Sequence, residues 1–208
     1  MNKEPDWIRW AREIQAIAQT GLHFSEGVYD RERYERLRDI AVEMFANGSD
    51  ATESFIRASF AAPTGYATPK VDVRGVVLKD GRLLLVRESS DGLWTVPGGW
   101  ADVNDSPSEA VVREICEESG FVTRATRLIA LFDRSRHAHQ PPVPFHVYKL
   151  FIACELLGGD ARPSSETSEV EFFDPNHLPP LSTGRVTADQ IAICVRACND
   201  PHSPTLFD

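Results

Sequence analysis

Residues 97–121 read PGGWADVNDSPSEAVVREICEESGF, and the fold of the chain is decided in this stretch. Pro97-Gly98-Gly99 punctuates the end of a short apolar segment, 93–96, that reads as a strand. Ser106-Pro107-Ser108-Glu109 supplies an N-cap serine, a proline at the first helical position and a glutamate at the third, which is a capping box. The helix so opened runs to about residue 119, where Gly120 stops it. Glu114, Glu117 and Glu118 stand at i, i+3 and i+4, so three carboxylates share one helix face. Val111, Val112 and Ile115 point elsewhere and can dock on a sheet. Residues 101–120 hold six acids (Asp102, Asp105, Glu109, Glu114, Glu117, Glu118) against Arg113, a net of −5. Like charges at helical spacing each cost about 0.2–0.5 kcal/mol. A helix tolerates that when the face is solvated or when a cation binds there. An isolated pattern of this kind is usually a solvated face. Here a Gly-Gly turn precedes the helix, so a loop backbone and the carboxylates can converge, and hard oxygen ligands suit Mg²⁺ or Mn²⁺.

Upstream of the turn the pattern is that of strands. Residues 70–78 are valine-rich, Lys79-Asp80-Gly81-Arg82 is a hairpin turn signal, and 83–86 is the return strand. Downstream, strand-like segments lie near 124–133, 145–157 and 170–173, broken by a proline-rich irregular loop at 140–144. Thr187-x-x-Gln190 caps a last helix through about Cys198. Strands alternating with two helices predict an α/β domain over 69–198. Before it, apolar residues at three- and four-residue spacing (Trp7, Trp10, Ala11, Ile14, Ile17, Ala18, then Tyr34, Leu37, Ile40, Ala41, Met44, Phe45) predict a helical hairpin over 1–48. Pro5 and Asp6 mark its start, Gly21 the end of the first helix, Asp30 the cap of the second and Gly48 its stop. Residues 49–68 read as a linker with a short helix at Phe55, Ile56 and Phe60, and 199–208 as a loose tail. A hairpin of this size cannot bury a core alone, which predicts packing on the rest of the chain or a homodimer.

The stretch Gly99-x5-Asp105-x7-Arg113-Glu114-Ile115-x-Glu117-Glu118-x-Gly120-Phe121 resembles the signature box of the Nudix hydrolases, with Asp105 where the pattern has glutamate. The resemblance implies an α/β/α sandwich around a mixed sheet, with the box forming a loop–helix–loop. Further residues resemble one bacterial branch of that family. They are Trp7-Ile8-Arg9-Trp10-Ala11, Phe132-Asp133-Arg134, His146-Val147-Tyr148-Lys149 and Glu166-Thr167-x-Glu169-Val170-x-Phe172-Phe173. That branch has a helical N-terminal domain and cleaves nucleoside diphosphates linked to another moiety, such as CDP-choline or a nucleotide sugar. The products implied are a nucleoside monophosphate and a phosphorylated moiety.

On this sequence the resemblance implies that Glu114, Glu117 and Glu118, with the carbonyl of Gly98, hold Mg²⁺ or Mn²⁺. Arg113 would orient a box carboxylate. The cations would neutralise the diphosphate and lower the pKa of an attacking water. A general base is expected among Glu166, Glu169 and Glu171, with Glu169 favoured. Asp105, one methylene short for a direct ligand, is expected to support the loop. Residues 121–150 reverse the charge to a net of +4, and there Arg134, His137, Tyr148 and Lys149 are the expected substrate contacts.

The whole chain of 208 residues carries 22 Lys+Arg against 31 Asp+Glu, a net of −9, with 42% hydrophobic residues. That composition excludes bulk disorder and a membrane bundle, and speaks against a broad basic surface for nucleic acid. The opening residues show no signal peptide, and the spacing of Cys116, Cys154, Cys194 and Cys198 suits reduced thiols, so a cytoplasmic location is expected. Two other readings compete. One is the same chemistry on RNA ends or short RNA. The other is a sensor that binds without hydrolysis, against which the full set Arg113, Glu114, Glu117 and Glu118 argues.

Overall fold

The computed structural model describes residues 5–61, 63–200 and 202–208. Two compact units divide them: the described part of Met1–Lys70 together with Pro141–His146, and Val71–Gln140 together with Val147–Asp208.

The first unit is helical: α1 (Asp6–Phe24), α2 (Val28–Gly48) and α3 (Glu53–Ala61). Ile8, Ala11, Ala41, Val42, Phe45, Ile56 and Phe60 are its core. Phe45 sits edge-on to both Trp7 and Phe60, with ring centroids 5.7 and 6.4 Å away. Gly21 does not end α1, which runs three residues further. A Cβ there would lie 2.4 Å from the Tyr34 ring, so the glycine lets α2 cross closely. Likewise α2 begins at Val28 behind Gly27, and Asp30 sits in its first turn, where an acid favours the helix dipole. The stretch read as a linker contributes α3, whose Ile56 and Phe60 complete the core. The proline-rich segment also belongs here: the Arg12 guanidinium donates twice to the Val143 carbonyl.

The second unit holds a mixed sheet of seven strands: β1 (Lys70–Lys79), β2 (Arg82–Glu88), β3 (Trp94–Thr95), β4 (Phe121–Asp133), β5 (Val147–Gly159), β6 (Thr167–Phe173) and β7 (Leu206–Phe207). The order is β3-β2-β1-β5-β4-β7, with β6 also on β2. Asp80 (φ 52°) and Gly81 (φ 77°) close the β1–β2 hairpin, as a two-residue turn with positive φ at both positions requires. The helices α4 (Pro107–Ser119) and α5 (Ala188–Asn199) both carry complete capping boxes, on Ser106/Glu109 and Thr187/Gln190. Val73, Val77 and Leu84 form one core with Val111 and Ile115 of α4. Val76, Leu83 and Leu85 form another with Ile191 and Cys194 of α5. Gly75 is the contact point under α4, where a Cβ would lie 2.4 Å from Ile115 Cδ1. The tail is anchored rather than loose. β7 adds a parallel strand to β4, Thr205 donates to the Leu128 carbonyl, and Arg127 donates to the carbonyls of Ala197 and Ser203. All four cysteines are free thiols, and no described helix is long and apolar enough to cross a membrane.

Candidate active site

The turn Pro97-Gly98-Gly99 is strapped to β1 by three backbone bonds. Gly75 N–H donates to Pro97 (2.8 Å), Val73 N–H to Gly99 (2.8 Å), and Ala101 N–H to Val71 (3.0 Å). This puts Gly98 at φ 137°, a conformation that glycine alone adopts freely. Its N–H donates to Glu118 Oε2 at 2.8 Å. Gly99 in turn leaves room for Glu114, whose Oε2 would sit 2.8 Å from a Cβ at that position. The loop backbone and two box carboxylates therefore do meet.

Arg113 is the organiser of the remaining acids. Its guanidinium donates to Asp105 (3.2 Å), Asp102 (3.1 Å), Glu114 (3.0 Å) and Glu117 (3.2 Å). Asp105 thus tethers the loop to the helix through Arg113. Burial pushes the Glu118 carboxyl up to about 7, with Arg74 and the Gly98 amide pulling the other way. Burial likewise raises Glu114, against the pull of Arg113. Among the described residues no three acidic, histidine or cysteine side chains form a ready-made cage for an ion. Glu114, Glu117 and Glu118 nevertheless offer hard oxygen donors of the kind a divalent cation takes.

The other expected residues distribute differently. Glu169 lies opposite Arg87 on β6 and accepts from its guanidinium at 2.5 Å, both side chains largely exposed. Glu166 stands beside Thr167, whose hydroxyl donates to the Glu118 carbonyl at 2.6 Å. Lys149, expected to touch substrate, is 1% exposed and paired with Asp72, because its position on β5 faces β1. Arg134 is buried and donates to the Gly184 carbonyl. His137 meets Asp208 (3.2 Å) and stacks near Phe132. Tyr148, opposite Asp133, is partly exposed.

A second charged layer was not read from the sequence. Asp72 and Arg74 on β1 are buried, as is Glu88 at the end of β2, where Arg185 Nε bonds it at 2.9 Å. Burial alone would raise Asp72, but Arg74 and Lys149 more than offset it and hold its carboxyl below the ordinary range. Burial pushes the Lys149 ammonium down to about 8. The available signal was the placement of Asp72 and Arg74 two residues apart in a valine-rich strand, hence on one face.

His139 is a structural neutral imidazole. Burial, then the charges of Lys149 and Arg134, push it down to about 3. Its Nδ1 faces the Thr183 carbonyl at 2.8 Å and its Nε2 faces the Gln190 amide at 3.1 Å, which fixes the Nδ1–H tautomer. The unfolded chain takes up this proton near pH 6.5 and the folded chain does not. The stability it confers is present above that pH and lost as pH falls toward 3. Between pH 7 and 5 the loss is about 2 kcal/mol. Urea titrations of wild type and His139→Gln should therefore converge by that amount, and parallel pH slopes would contradict the assignment.

The NUDIX domain model matches residues 68–192, and a model described as a UDP-X-like N-terminal oligomerisation domain matches residues 5–60. The chain belongs to the Nudix family. This Nudix chain is 45% identical over 202 residues, 97% of each chain, to YjhB of Bacillus subtilis (strain 168), provisionally assigned as an ADP-ribose pyrophosphatase. A crystal structure of an ADP-ribose pyrophosphatase from Streptococcus suis 89-1591 is 44% identical with a TM-score of 0.62, covering 68% of this chain and all of that one. A crystal structure of a UDP-X diphosphatase is 34% identical with a TM-score of 0.63, covering 99% of this chain and all of that one. The Nudix chain is accordingly an enzyme, a pyrophosphohydrolase, and Asp105 is its one departure from the box pattern.

Proposed function

We propose that this Nudix enzyme hydrolyses the diphosphate of a nucleoside diphosphate linked to a sugar-like or choline-like moiety, giving a nucleoside monophosphate and a phosphorylated moiety. One observation carries the reading: the Glu118 carboxylate is buried against the Gly98 amide while Arg113 gathers Glu114 and Glu117 beside it. The names of the relatives support the substrate class, since ADP-ribose and UDP-X are both nucleoside diphosphates bearing a further group. Glu114, Glu117 and Glu118 are the residues that would hold Mg²⁺ or Mn²⁺. When bound, such a cation neutralises diphosphate charge and lowers the pKa of water. Arg113 keeps the exposed Glu117 and half-buried Glu114 aimed at one place. Glu166 replaces Glu169 as the candidate for accepting the proton of the attacking water, because Arg87 engages Glu169 and Glu166 adjoins the strand start tied to Glu118. A panel of ADP-ribose, UDP-sugars and CDP-choline, each with Mg²⁺ and with EDTA, tests the reading. Metal-dependent turnover of at least one is expected, and no turnover of any would overturn it.

We further infer that α1 mediates a homodimer. Its inward face is Ile8, Ala11, Gln15 and Ala18, yet Trp10, Ile17 and Phe24 recur every seven residues and are 50%, 51% and 65% exposed. Such a stripe marks an association surface, and the family model matching this segment is named for oligomerisation. Sedimentation of wild type should give twice the chain mass at micromolar concentration, and the double variant Trp10→Asp/Ile17→Asp should give the chain mass. Dimeric behaviour of that variant would place the interface elsewhere.

A further inference from the structure

Arg74 is 6% exposed in the middle of β1. Its Nε donates to Asp72 Oδ1 at 2.9 Å, and its Nη1 to the Val96 carbonyl at 3.4 Å. The second oxygen of Asp72 takes the Lys149 ammonium. Asp72 is thus shared by two buried cations, Arg74 and Lys149, and the three groups together carry one positive charge in excess. Three carboxylates outside that group feel the charge of Arg74: Glu118 and Glu114 on the box helix and Glu88 on β2. Glu114 also has Arg113, and Glu88 has Arg185. For Glu118, Arg74 is the strongest opposing charge. The two side chains also grip one short turn, since Arg74 holds the Val96 carbonyl and Glu118 accepts the Gly98 amide two residues on.

We propose that Arg74 is a positioning residue for hydrolysis, a buried guanidinium anchored by Asp72 that fixes the 96–98 turn and, through the Gly98 amide, sets the Glu118 carboxylate in place. The role needs arginine. Its planar fork reaches Asp72 and Val96 together, whereas a lysine presents a single point of contact. It needs no contact with substrate. Removing it leaves the Asp72–Lys149 pair balanced, so the fold keeps its buried ion pair while Glu118 loses its counter-charge. An ångström of misplacement at a reacting centre is enough for losses near 100-fold.

The inference rests on the reading that Glu118 serves the reaction, so Glu118→Gln is the control. Steady-state kinetics on the best substrate of the panel, with thermal melting alongside, should separate the cases. Arg74→Met is expected to lower kcat about 100-fold with KM changed less than about threefold and melting within a few degrees of wild type. Arg74→Lys should recover part of that, remaining about tenfold below wild type in kcat. A folded Arg74→Met with wild-type kcat would overturn the role. If Arg74→Met fails to fold, Arg74→Lys decides: wild-type kcat there overturns it, and a selective kcat loss upholds it. An active Glu118→Gln would instead overturn the underlying reading.

Discussion

Glu118→Gln should lower turnover by about 10³-fold, about 4 kcal/mol of transition-state stabilisation, and at the same time make the metal-free protein more stable. The two effects have one cause. The glutamine amide keeps an oxygen for the Gly98 N–H but removes a negative charge from a site where burial raises the carboxyl to about 7. A carboxylic acid with a folded pKa above its unfolded value stabilises the protein while protonated. That contribution is present below about pH 4.5 and is lost as pH rises through about 7. At pH 8 the wild type therefore bears the full cost of the ionised group and the glutamine variant does not. The expected gain is on the order of 1 kcal/mol or more. Urea unfolding in EDTA at pH 8, beside kcat in Mg²⁺, checks both signs. Reduced stability together with retained activity would mean that Glu118 is merely a structural acceptor for the turn.

Gly98→Ala should be the most damaging small substitution in the chain. A Cβ at this position would lie 2.1 Å from the Val73 carbonyl oxygen and 2.9 Å from Arg74 Cα, both backbone atoms that cannot rotate away. The φ of 137° adds strain that alanine cannot relieve. A destabilisation of about 3 kcal/mol or more follows, and activity should fall to about 1% or less, because an ångström of misalignment at a reacting centre costs about 100-fold. Gly81→Ala is the control. Gly81 has positive φ but open space around it, so it should cost only about 1 kcal/mol and leave kcat intact. Equal effects at the two glycines would show that strain alone, without the close approach, explains Gly98.

What the sequence disclosed was local. The α4 capping box needs residues three apart, the β1–β2 turn needs Asp80-Gly81, and the shared face of Glu114, Glu117 and Glu118 follows from 3.6-residue periodicity. Pairings that join distant segments were not disclosed. Lys149 looked like a phosphate ligand because it stands in a basic stretch, yet strand pairing turns it onto Asp72, 77 positions away. Glu169 looked like a base because it stands in an acidic stretch, yet the β2–β6 register sets it opposite Arg87. The tail looked loose because β7 is only two residues long and its stability comes from partners on β4. Even Gly21, a stop by local rules, is explained by the Tyr34 ring that crosses it.

Phosphorus NMR of the reaction mixture is the most direct test of the central claim, metal-dependent hydrolysis within the diphosphate bridge. With ADP-ribose or a UDP-sugar as substrate, the diphosphate resonances are expected to disappear in Mg²⁺ and two phosphomonoester signals to replace them in equal amounts, with no change in EDTA. Release of inorganic phosphate or pyrophosphate in place of the two monoesters, or an unchanged diphosphate in the presence of Mg²⁺, would contradict it.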